Sequence, residues 1–440
     1  MRIRELIEAT NADVISLDTN SDKDFCISTD TRTLKPGDFY LPLKGASFDG
    51  EKFIFQAFEK GAVGAFCTKE LETKKTLLKV DNTLTAYLKL AKYRRNKINP
   101  TVVAITGSSG KTTTKELISS VLSEKYKTFK TPLNHNNEIG FCQTIFEMGD
   151  DTEVLILEMG MRGLGEIELL SKYSEPDITV ICNVGTAHIG RLGSKENIAK
   201  AKCEIVKYQR GNLFIAHDDK LIRDTVNFSG KKIFYSLNDV NILEKTANYS
   251  KFIYKNNEYE LNVGGNYNIT NALSAIIAGE NMGLTQEQIK TGLKKYSPIE
   301  KRWESVNANG IEVINDSYNA NPESMRAFID TICELYQNYT IVLGDMGELG
   351  ENEVQYHREL GEYINSKLNF NKNAQIITIG TLSSHITGAI TKYKTAHFNT
   401  IEDAIPYIKQ STNKDDILFL KASRSMKFEK IIQYLCNNNK

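Results

Sequence analysis

The sequence predicts an α/β protein of three domains, and three observations support this fold class. The chain has 440 residues, which is enough for about three domains at roughly 150 residues each. Short apolar runs that suit buried strands alternate with helical patterns along much of the chain. The segment TVVAITGSSGKTTTKEL, residues 101–117, has the strand, loop and helix order of a phosphate-binding loop.

The composition excludes several classes of protein. Lys and Arg number 55 and Asp and Glu also number 55, so there is no general attraction to nucleic acid or to a membrane surface. No apolar run approaches the ~20 residues of a membrane span, and charges stand where a signal peptide needs its apolar core, so we expect a cytoplasmic protein. The seven scattered cysteines form no CxxC pair, which favours buried free thiols over disulfides or a zinc site.

The first predicted domain, residues 1–84, contains short strands and one helix. The candidate strands are Phe25–Ser28, Phe39–Leu43 and Gly64–Thr68, and the candidate helix is Phe53–Lys60. A second helix, rich in Ala, Leu and Lys, is expected at Leu84–Arg95. It leads into the next domain and ends before Pro100, because the residue before a proline disfavours helical backbone.

The second predicted domain, residues 85–308, begins at the phosphate loop. The β-branched run Thr101–Thr106 supplies a buried strand. The turn is made of small residues, Gly107, Ser108, Ser109 and Gly110. Lys111 and Thr112 then open a helix, so that backbone N–H groups and the lysine face an anion while the Thr112 hydroxyl can bind a magnesium ion. The alternative is a plain glycine turn followed by an exposed lysine.

Further apolar runs predict two mostly parallel sheets. In the second domain, strands are expected at Val154–Met159, Ile178–Val184 and Asn212–Ala216, with a helix at Asn268–Met282. The third domain, residues 309–440, alternates strands with helices, which predicts a small doubly wound, Rossmann-like domain. Its strands are Ile311–Asn315, Thr340–Leu343, Gln375–Ile379 and Asp416–Leu420, and its helices are Pro322–Tyr336, Glu353–Leu368, Ile401–Lys409 and Met426–Leu435.

Two polar side chains follow apolar runs of the second domain at the predicted strand ends. Glu158 ends the strand VLILE, and His188 follows the next strand in CNVGTAHIGRLGS. Ligands bind at the carboxyl ends of strands in open α/β sheets, so both side chains could reach one metal ion beside the phosphates. The alternatives are a solvated loop carboxylate for Glu158 and a structural role for His188.

Two basic residues are candidates on weaker grounds. Lys202 lies in the helical segment ENIAKAKCEIVKYQR, where a solvated helix face is the simpler explanation. Arg302 follows a proline-containing hinge, YSPIEKRWE, from which a guanidinium could reach across a domain boundary to a phosphate. A surface arginine is the alternative, and its neighbour Trp303 is expected to be a packing residue.

The segment NDSYNANPESM, residues 315–325, concentrates polar side chains at a strand end. Its candidates are Asp316, Asn319 and Asn321, and Pro322 marks the start of a helix. Such residues are typical of tight turns and helix caps, but their density keeps a binding role open.

Several segments, in order along essentially the whole chain, resemble signatures of the Mur ligase family of amide-bond-forming enzymes. The family's T-G-x-x-G-K-T-[ST] pattern matches Thr106–Thr113, which accounts for Ile105 at the place of the usual first glycine of a phosphate loop. Other matching segments are LEMGMRGLGEI, TAHIGRLGS with AKAKCEI after it, GNYNITNALSA, DSYNANPESM, VLGDMGELG and LKASRSM. Together with STDTR and KGASFDG, they resemble the family member that adds D-alanyl-D-alanine to a UDP-linked tripeptide.

The resemblance implies a reaction. ATP would phosphorylate the terminal carboxylate of UDP-N-acetylmuramoyl-tripeptide, and the amine of D-alanyl-D-alanine would attack the acyl phosphate. The products would be ADP, phosphate and the UDP-linked pentapeptide precursor of peptidoglycan, with ATP and Mg²⁺ as cofactors. The implied architecture is a small UDP-binding N-terminal domain, a central ATPase-like domain and a C-terminal Rossmann-like domain.

The resemblance also implies roles for individual residues. Lys111, Lys202, His188 and Arg302 would be catalytic. Thr112, Glu158, His188 and Lys202 would hold Mg²⁺, Lys202 as the lysine that becomes N-carbamoylated in several family members. Nucleotide contacts would come from Thr106, Gly107, Ser108, Ser109, Gly110, Lys111, Thr112, Thr113, Asn268, Asn271, Arg302, Asp316, Asn319 and Asn321. Substrate contacts would come from Ser28, Thr29, Asp30, Thr31, Arg32, Lys44, Gly45, Asn136 and Asn137.

The chemistry further predicts domain closure. An acyl phosphate hydrolyses in water, so a mobile third domain should close over the site, hinged near residues 297–311. We expect a monomer. Two alternatives stay open at this point. One is a sibling Mur-type or polyglutamate ligase, against which NDSYNANPESM and GDMGELG argue. The other is a nucleotide-dependent regulatory module, for which a guanine-recognition N-K-x-D motif is missing.

Overall fold

The structure is a computed structural model that describes residues 1–18, 24–45, 47–132, 135–246, 248–298, 302–367, 374–412 and 416–436. The chain divides into two compact units. Unit 1 comprises Met1–Thr101, Thr131–Glu153 and Lys172–Glu175, and unit 2 comprises Val102–Lys130, Val154–Ser171 and Pro176–Lys440. Both are built from helices and mostly parallel sheets, which confirms the predicted α/β class.

Unit 1 holds one sheet with the strand order β1-β5-β4-β3-β2, in which only β1 is antiparallel to its neighbour among the described pairings. The strands are β1 (Asp13–Ser16), β2 (Ile27–Ser28), β3 (Phe39–Tyr40), β4 (Gly64–Cys67) and β5 (Thr76–Lys79). The helices are α1 (Ile3–Thr10), α2 (Ile54–Glu59), α3 (Thr83–Ile98) and α5 (Glu138–Glu147). The predicted strands and helices of this region are present, with shorter strands. The elements α1, α5, β1 and β5 were not predicted, because they are too short to show a clear period.

The central sheet of unit 2 carries the phosphate loop. Its order is β11-β10-β9-β6-β8-β7, and β6, β9, β10 and β11 pair in parallel in turn. The strands are β6 (Thr101–Thr106), β7 (Thr128–Lys130), β8 (Val154–Glu158), β9 (Ile178–Ile181), β10 (Leu213–His217) and β11 (Lys231–Tyr235). The helices are α4 (Lys111–Leu122), α6 (Glu166–Ser174), α7 (Ile189–Leu192), α8 (Lys195–Cys203), α9 (Lys220–Thr225), α10 (Asn266–Asn281) and α11 (Gln286–Lys295). Because β8 and β9 are buried throughout, their continuous apolar runs could be recognised from the sequence.

The phosphate-loop helix α4 is held between the sheet and two other helices. Leu117 and Val121 of α4 share one buried core with Ile276 of α10. Gly292 of α11 comes so close to α4 that a Cβ atom there would lie 2.5 Å from the Cα of Val121. The glycine is therefore required for this packing, which fixes the position of the helix start.

A small antiparallel sheet in the same unit was not predicted. It consists of β12 (Val240–Lys245), β13 (Ser250–Tyr254) and β14 (Asn257–Leu261) in that order. The strands alternate buried and exposed positions, and Phe252 and Tyr259 pack into the core beside α10. Their polar outward positions break up the apolar run that identifies the parallel strands.

The fourth sheet has the order β15-β16-β20-β17-β18-β19, with β15 antiparallel and the other neighbours parallel. The strands are β15 (Glu304–Ala308), β16 (Ile311–Asn315), β17 (Tyr339–Gly344), β18 (Gln375–Ile379), β19 (Lys394–Phe398) and β20 (Ile417–Lys421). The helices are α12 (Pro322–Leu335), α13 (Glu353–Ser366), α14 (Ser384–Gly388), α15 (Ile401–Ser411) and α16 (Glu429–Cys436). The doubly wound domain is confirmed. The predicted end of α13 at Leu368 lies outside the described residues, and the edge strands β15 and β19 were missed.

Three other expectations can be compared with the structure. Trp303 is buried and packs against Phe328 and Phe419, which confirms its role in packing. All seven cysteines are free, and only Cys26 and Cys436 among them are exposed. Within the ranges given above, no helix combines the length and the apolar character needed to cross a membrane.

Candidate active site

The phosphate loop turns between β6 and α4 with Gly110 in a left-handed conformation, φ 77°. A Cβ atom at Gly110 would lie 2.8 Å from the amide oxygen of Asn271, so this predicted nucleotide residue packs directly on the loop. The Nζ atom of Lys111 donates to the carbonyl oxygen of Gly107 at 2.8 Å. The lysine thus folds back over the loop, at the end of the helix where the N–H groups of the first turn have no partner within the helix.

Asn183, just beyond β9, forms hydrogen bonds with the phosphate loop. Its amide oxygen accepts hydrogen bonds from the N–H groups of Ser108 at 3.1 Å and Ser109 at 3.0 Å. Its amide nitrogen donates to the carbonyl and hydroxyl oxygens of Ser109, both at 3.1 Å. These two backbone N–H groups therefore point at Asn183. The N–H groups left for an anion are those at the start of α4.

Glu158 is buried at the carboxyl end of β8, as the sequence predicted. Its carboxylate lies 3.8 Å from the Nζ atom of Lys115, a buried lysine on α4 that the sequence analysis did not select. The neighbouring strand holds this segment in place, because the Thr106 hydroxyl donates to the carbonyl oxygen of Met159 at 2.9 Å. The hydroxyl of Thr106, a predicted nucleotide residue, thus forms a hydrogen bond within the sheet region.

Lys202 is buried near the end of α8, which overturns the simpler expectation of a solvated helix face. No hydrogen bond or ion pair of its ammonium group occurs among the residues that the structure describes. Burial holds the pKa of Lys202 well below its ordinary value, and the positive charge of Lys111 lowers it further. The amine is therefore disposed to be uncharged, which is the nucleophilic form of a lysine.

Lys111 stands at the centre of these groups. Burial lowers its pKa, the carboxylate of Glu158 opposes that change, and the guanidinium of Arg302 adds to it. Arg302 lies over the ring of Tyr318, with its guanidinium carbon 4.1 Å from the ring centre. Three predicted residues, Glu158, Lys202 and Arg302, thus each interact electrostatically with Lys111. The positive charges of Lys111 and Arg302 suit a polyanionic ligand.

His188 takes the first position before the short helix α7, with a left-handed φ of 67°. Its Nδ1 atom contacts a carboxylate oxygen of Glu348, a residue beyond β17. The hydrogen bond with the imidazole lowers the pKa of Glu348. The predicted metal ligand is therefore in contact with a carboxylate that follows β17.

The turn after β16 is organised by Lys421 at the end of β20. The buried ammonium of Lys421 lies 2.6 Å from a carboxylate oxygen of Asp316 and 3.2 Å from the carbonyl oxygen of Asn319. The Asn321 side chain accepts from the N–H group of Ser324 at 2.9 Å and caps α12. Asn321 is thus accounted for as a helix cap, one of the two alternatives left open, while Asn319 is exposed.

Three further predicted residues lie in the first turns of α10 and α4. Asn268 is buried, and its amide nitrogen donates to the carbonyl oxygen of Gly264 at 2.7 Å. Thr112 and Thr113 are buried in the first turn of α4. The structure places Asn271 beside the phosphate loop, as described above, and the binding of adenine by Asn268 and Asn271 stays a prediction.

The groups present fit a magnesium ion of the kind used in phosphoryl transfer. Within the described ranges, no three His, Cys, Asp or Glu side chains gather to hold a metal ion by themselves. Mg²⁺ at such sites commonly takes one or two carboxylates and completes its shell with substrate phosphates and water. The buried carboxylate of Glu158 and the hydroxyl of Thr112 match that donor set.

In unit 1, the predicted UDP-sugar residues form a turn after β2. The carboxylate of Asp30 accepts from the backbone N–H of Arg32 at 2.8 Å and pairs with its guanidinium at 2.6 Å. Arg32 thereby holds the pKa of Asp30 at about 2. The carbonyl oxygen of Thr31 accepts from Lys60 at 2.7 Å, and Ser28 donates to the carbonyl oxygen of Asp30 at 3.2 Å. The structure records no side-chain hydrogen bond of Thr29 within the part of the chain described.

The other substrate candidates of unit 1 lie on loops. Lys44 and Gly45 are exposed, Lys44 forms an isolated bridge with Asp49, and Ala46 lies outside the described residues. Asn137 caps α5 by accepting from the N–H group of Gly140 at 2.8 Å. Asn136 precedes it and is half-buried.

Three residues that organise the site were not predicted: Asn183, Lys115 and Glu348. Asn183 and Glu348 lie inside the segments CNVGTAH and GDMGELG that had been selected for other reasons. The one local signal for Asn183 was its position directly after an apolar run. Lys115 looked like a polar position on an amphipathic helix, so nothing local set it apart.

Two family models match the chain. Residues 105–279 match the Mur ligase middle domain, and residues 301–424 match the Mur ligase glutamate ligase domain. A curated relative, the UDP-N-acetylmuramoyl-tripeptide–D-alanyl-D-alanine ligase of Bacillus subtilis, is 36% identical over 428 residues. The alignment covers 93% of this chain and 92% of that protein.

Solved structures show the same similarity along the chain. A crystal structure of MurF from Acinetobacter baumannii superimposes with a TM-score of 0.91 at 28% identity, covering 99% of both chains. The MurF ligase of Thermotoga maritima in complex with ADP superimposes with a TM-score of 0.84 at 26% identity, covering 94% of this chain and 97% of that one. These matches extend from the first sheet to the last.

Proposed function

The chain belongs to the Mur ligase family, and we propose that it joins D-alanyl-D-alanine to UDP-N-acetylmuramoyl-tripeptide and converts ATP to ADP and phosphate. The observation that carries this proposal is the similarity to ligases of that name over 93% of the chain at 36% identity. Because the match covers almost the whole chain, it includes the regions proposed for UDP, for ATP and for the C-terminal nucleotide contacts. The product is the UDP-linked pentapeptide precursor of peptidoglycan.

The phosphates of ATP bind at the start of α4. The N–H groups of the first turn and the ammonium of Lys111 offset the charge of the phosphates, and Arg302 adds a second cation for the γ-phosphate. The tripeptide carboxylate attacks the γ-phosphorus and ADP leaves, which gives an acyl phosphate. The amine of the dipeptide then attacks the acyl carbon and phosphate leaves. Lys111 and Arg302 stabilise the charge that develops during the first transfer.

Magnesium supplies further neutralisation of the phosphates when it is bound. Thr112 and Glu158 are the residues that would hold it, with His188 and a carbamate on Lys202 as further ligands. The depressed pKa of Lys202 supports this assignment, because carbon dioxide adds to the uncharged form of an amine. Contact with Glu348 orients the His188 ring.

Residues of both units complete the proposal. Asp316, held by Lys421, is proposed to contact the ribose, with Asn319 and Asn321 at the edge of the C-terminal domain and Asn268 and Asn271 near adenine. In unit 1, Ser28, Thr29, Asp30, Thr31, Arg32, Lys44 and Gly45 would bind the UDP-sugar, and Asn136 and Asn137 would approach the peptide.

The reaction also requires water to be excluded from the acyl phosphate. We propose domains at 1–84, 85–308 and 309–440, with the last closing about a hinge near residues 297–311, of which residues 299–301 lie outside the described ranges. A cytoplasmic monomer is the working form in this proposal.

Mass spectrometry of the product tests the assignment. The purified protein is incubated with ATP, Mg²⁺, D-alanyl-D-alanine and UDP-N-acetylmuramoyl-tripeptide carrying either L-lysine or meso-diaminopimelate. The proposal expects one tripeptide to gain the mass of the dipeptide less one water. A Lys111→Met variant is the control for contaminating ligase. If neither tripeptide is converted, the proposed function is wrong.

A further inference from the structure

We infer that Glu323 is a positioning residue that couples closure of the C-terminal domain to the shape of the phosphate loop. This inference rests on the proposed function and deepens it by naming a contact through which the domain would act. Glu323 is the second residue of α12, in the C-terminal domain. Its partners lie in the loop that follows β9 of the central sheet.

The carboxylate of Glu323 binds that loop directly. One oxygen accepts from the N–H group of Thr186 at 3.0 Å and from its hydroxyl at 2.7 Å. The other lies 3.2 Å from the Nζ atom of Lys195. A Cβ atom at Gly185 would lie 2.9 Å from the carboxylate carbon, so the approach depends on a glycine at that position.

The same loop holds the phosphate loop on its other side. Asn183 accepts from the N–H groups of Ser108 and Ser109, and the N–H group of Gly185 donates to the hydroxyl of Ser108 at 2.8 Å. Only one residue separates Asn183 from Gly185, and Thr186 follows immediately. A displacement of Thr186 would therefore reach the phosphate loop through a short, hydrogen-bonded segment.

The position of Glu323 also explains why a carboxylate is needed. An acidic residue in the first turn of a helix is common because it faces the positive end of the helix dipole. Stabilisation of the helix alone would not require the approach to Gly185 or two bonds to Thr186. The hydrogen bonds from Thr186 and the charge of Lys195 outweigh burial and lower the pKa of Glu323, so the group is ionised when it accepts them.

When the C-terminal domain moves away, Thr186 loses its acceptor and the loop that carries Asn183 and His188 loses one of its restraints. The phosphate loop then keeps its bonds to Asn183, but Asn183 itself is less firmly placed. Closure thus favours the loop conformation that suits phosphoryl transfer. We expect its loss to lower the rate of the chemical step more than the affinity for the nucleotide.

The experiment compares Glu323→Ala and Glu323→Gln with Glu402→Ala. Glu402 is a matched control, because it is also the second residue of a helix and pairs with a lysine, Lys430, at 3.5 Å. Hydrogen–deuterium exchange is measured with a non-hydrolysable ATP analogue bound, in peptides that cover 182–190 and 104–112. Steady-state kcat and the KM for ATP are measured in the same preparations.

For Glu323→Ala we expect faster exchange in both peptides and a fall in kcat of about tenfold, with the KM for ATP changed less than about twofold. Glu323→Gln should recover most of kcat, because its amide oxygen can still accept from Thr186. Thr186→Val should resemble Glu323→Ala, and the double variant should be no slower than Glu323→Ala. Glu402→Ala should match the wild type.

Unchanged exchange in both peptides, or equal behaviour of Glu323→Ala and Glu402→Ala, would overturn the inference and leave Glu323 with a local structural role. Additive losses in the Thr186 and Glu323 double variant would overturn it as well. Failure of the wild type to ligate would contradict the proposed function instead. The exchange comparison would still test the link, since it needs only the nucleotide analogue.

Discussion

The Nδ1 atom of His188 contacts a carboxylate oxygen of Glu348, although the two residues follow strands of different sheets. Both have left-handed backbone, with φ of 67° and 61°. Such angles are uncommon for residues with a side chain and persist where the surrounding structure imposes them. Glu348 also acts electrostatically on Lys111. The central and C-terminal domains therefore both contribute to the environment of the phosphate loop.

The first prediction concerns this pair. His188→Ala and Glu348→Ala should each lower kcat by roughly 10- to 100-fold, because each removes the partner that orients the other. The double variant should be no slower than the worse single variant. Glu351→Ala, an exposed carboxylate three positions further on, serves as the control and should keep full activity. Independent, multiplicative losses would show that the contact has no catalytic role.

The second prediction concerns the carbamate on Lys202. Lys202→Ala should lose activity by about 100-fold or more, since a ligand for Mg²⁺ is lost. Wild-type activity should fall in buffer depleted of carbon dioxide and return when bicarbonate is added, whereas the variant should not respond. Lys200→Ala, which alters an exposed lysine of the same helix, is the control. Full activity of Lys202→Ala with or without bicarbonate would refute the assignment.

The third prediction uses the pKa of Lys202 in the absence of carbon dioxide. This pKa lies well below the ordinary value of 10.5, so between the two values the unfolded chain binds a proton that the folded protein does not. The free energy of unfolding should therefore rise with pH in that range. Lys202→Met should flatten this slope and raise the melting temperature at pH 7, while Lys200→Met should change neither. An unchanged slope in Lys202→Met would contradict the prediction.

The fourth prediction concerns the ion pair of Lys421 and Asp316. Lys421→Met leaves the carboxylate of Asp316 and the carbonyl oxygen of Asn319 without their donor. Breaking such a buried pair should lower the free energy of unfolding by about 3 kcal/mol. Lys430→Met removes a half-exposed pair and should cost less than about 1 kcal/mol. Urea denaturation measures both, and equal values for the two variants would count against the buried pair.

The sequence predicted those elements whose signal is local. The strands β8, β9 and β17 are buried along their whole length and are mostly apolar, as a buried parallel strand requires. The antiparallel strands β13 and β14 alternate buried and more exposed positions over five residues each, a pattern that loops also produce. Strand β15 lies at the edge of its sheet and pairs only with β16 among the described strands, so little in its composition marks it.

The residues of the candidate site also differ in whether a local sequence pattern identifies them. Lys111 and Glu158 could be selected because each belongs to a pattern of a few adjacent residues. Lys202 has the local sequence of a solvated helix, and it was selected only through the resemblance to the family. Glu323 and Asn183 act on residues 137 and 75 positions away, respectively. Contacts of that kind depend on how the sheets pack, which no local pattern records.

The central claim is that this protein couples the cleavage of ATP to ADP and phosphate to the ligation of the dipeptide to the tripeptide. A coupled phosphate-release assay with ATP, Mg²⁺, each UDP-N-acetylmuramoyl-tripeptide and D-alanyl-D-alanine tests it most directly. The account predicts phosphate release that requires the dipeptide and saturates with its concentration, for at least one of the two tripeptides. Phosphate release that never depends on D-alanyl-D-alanine would contradict it.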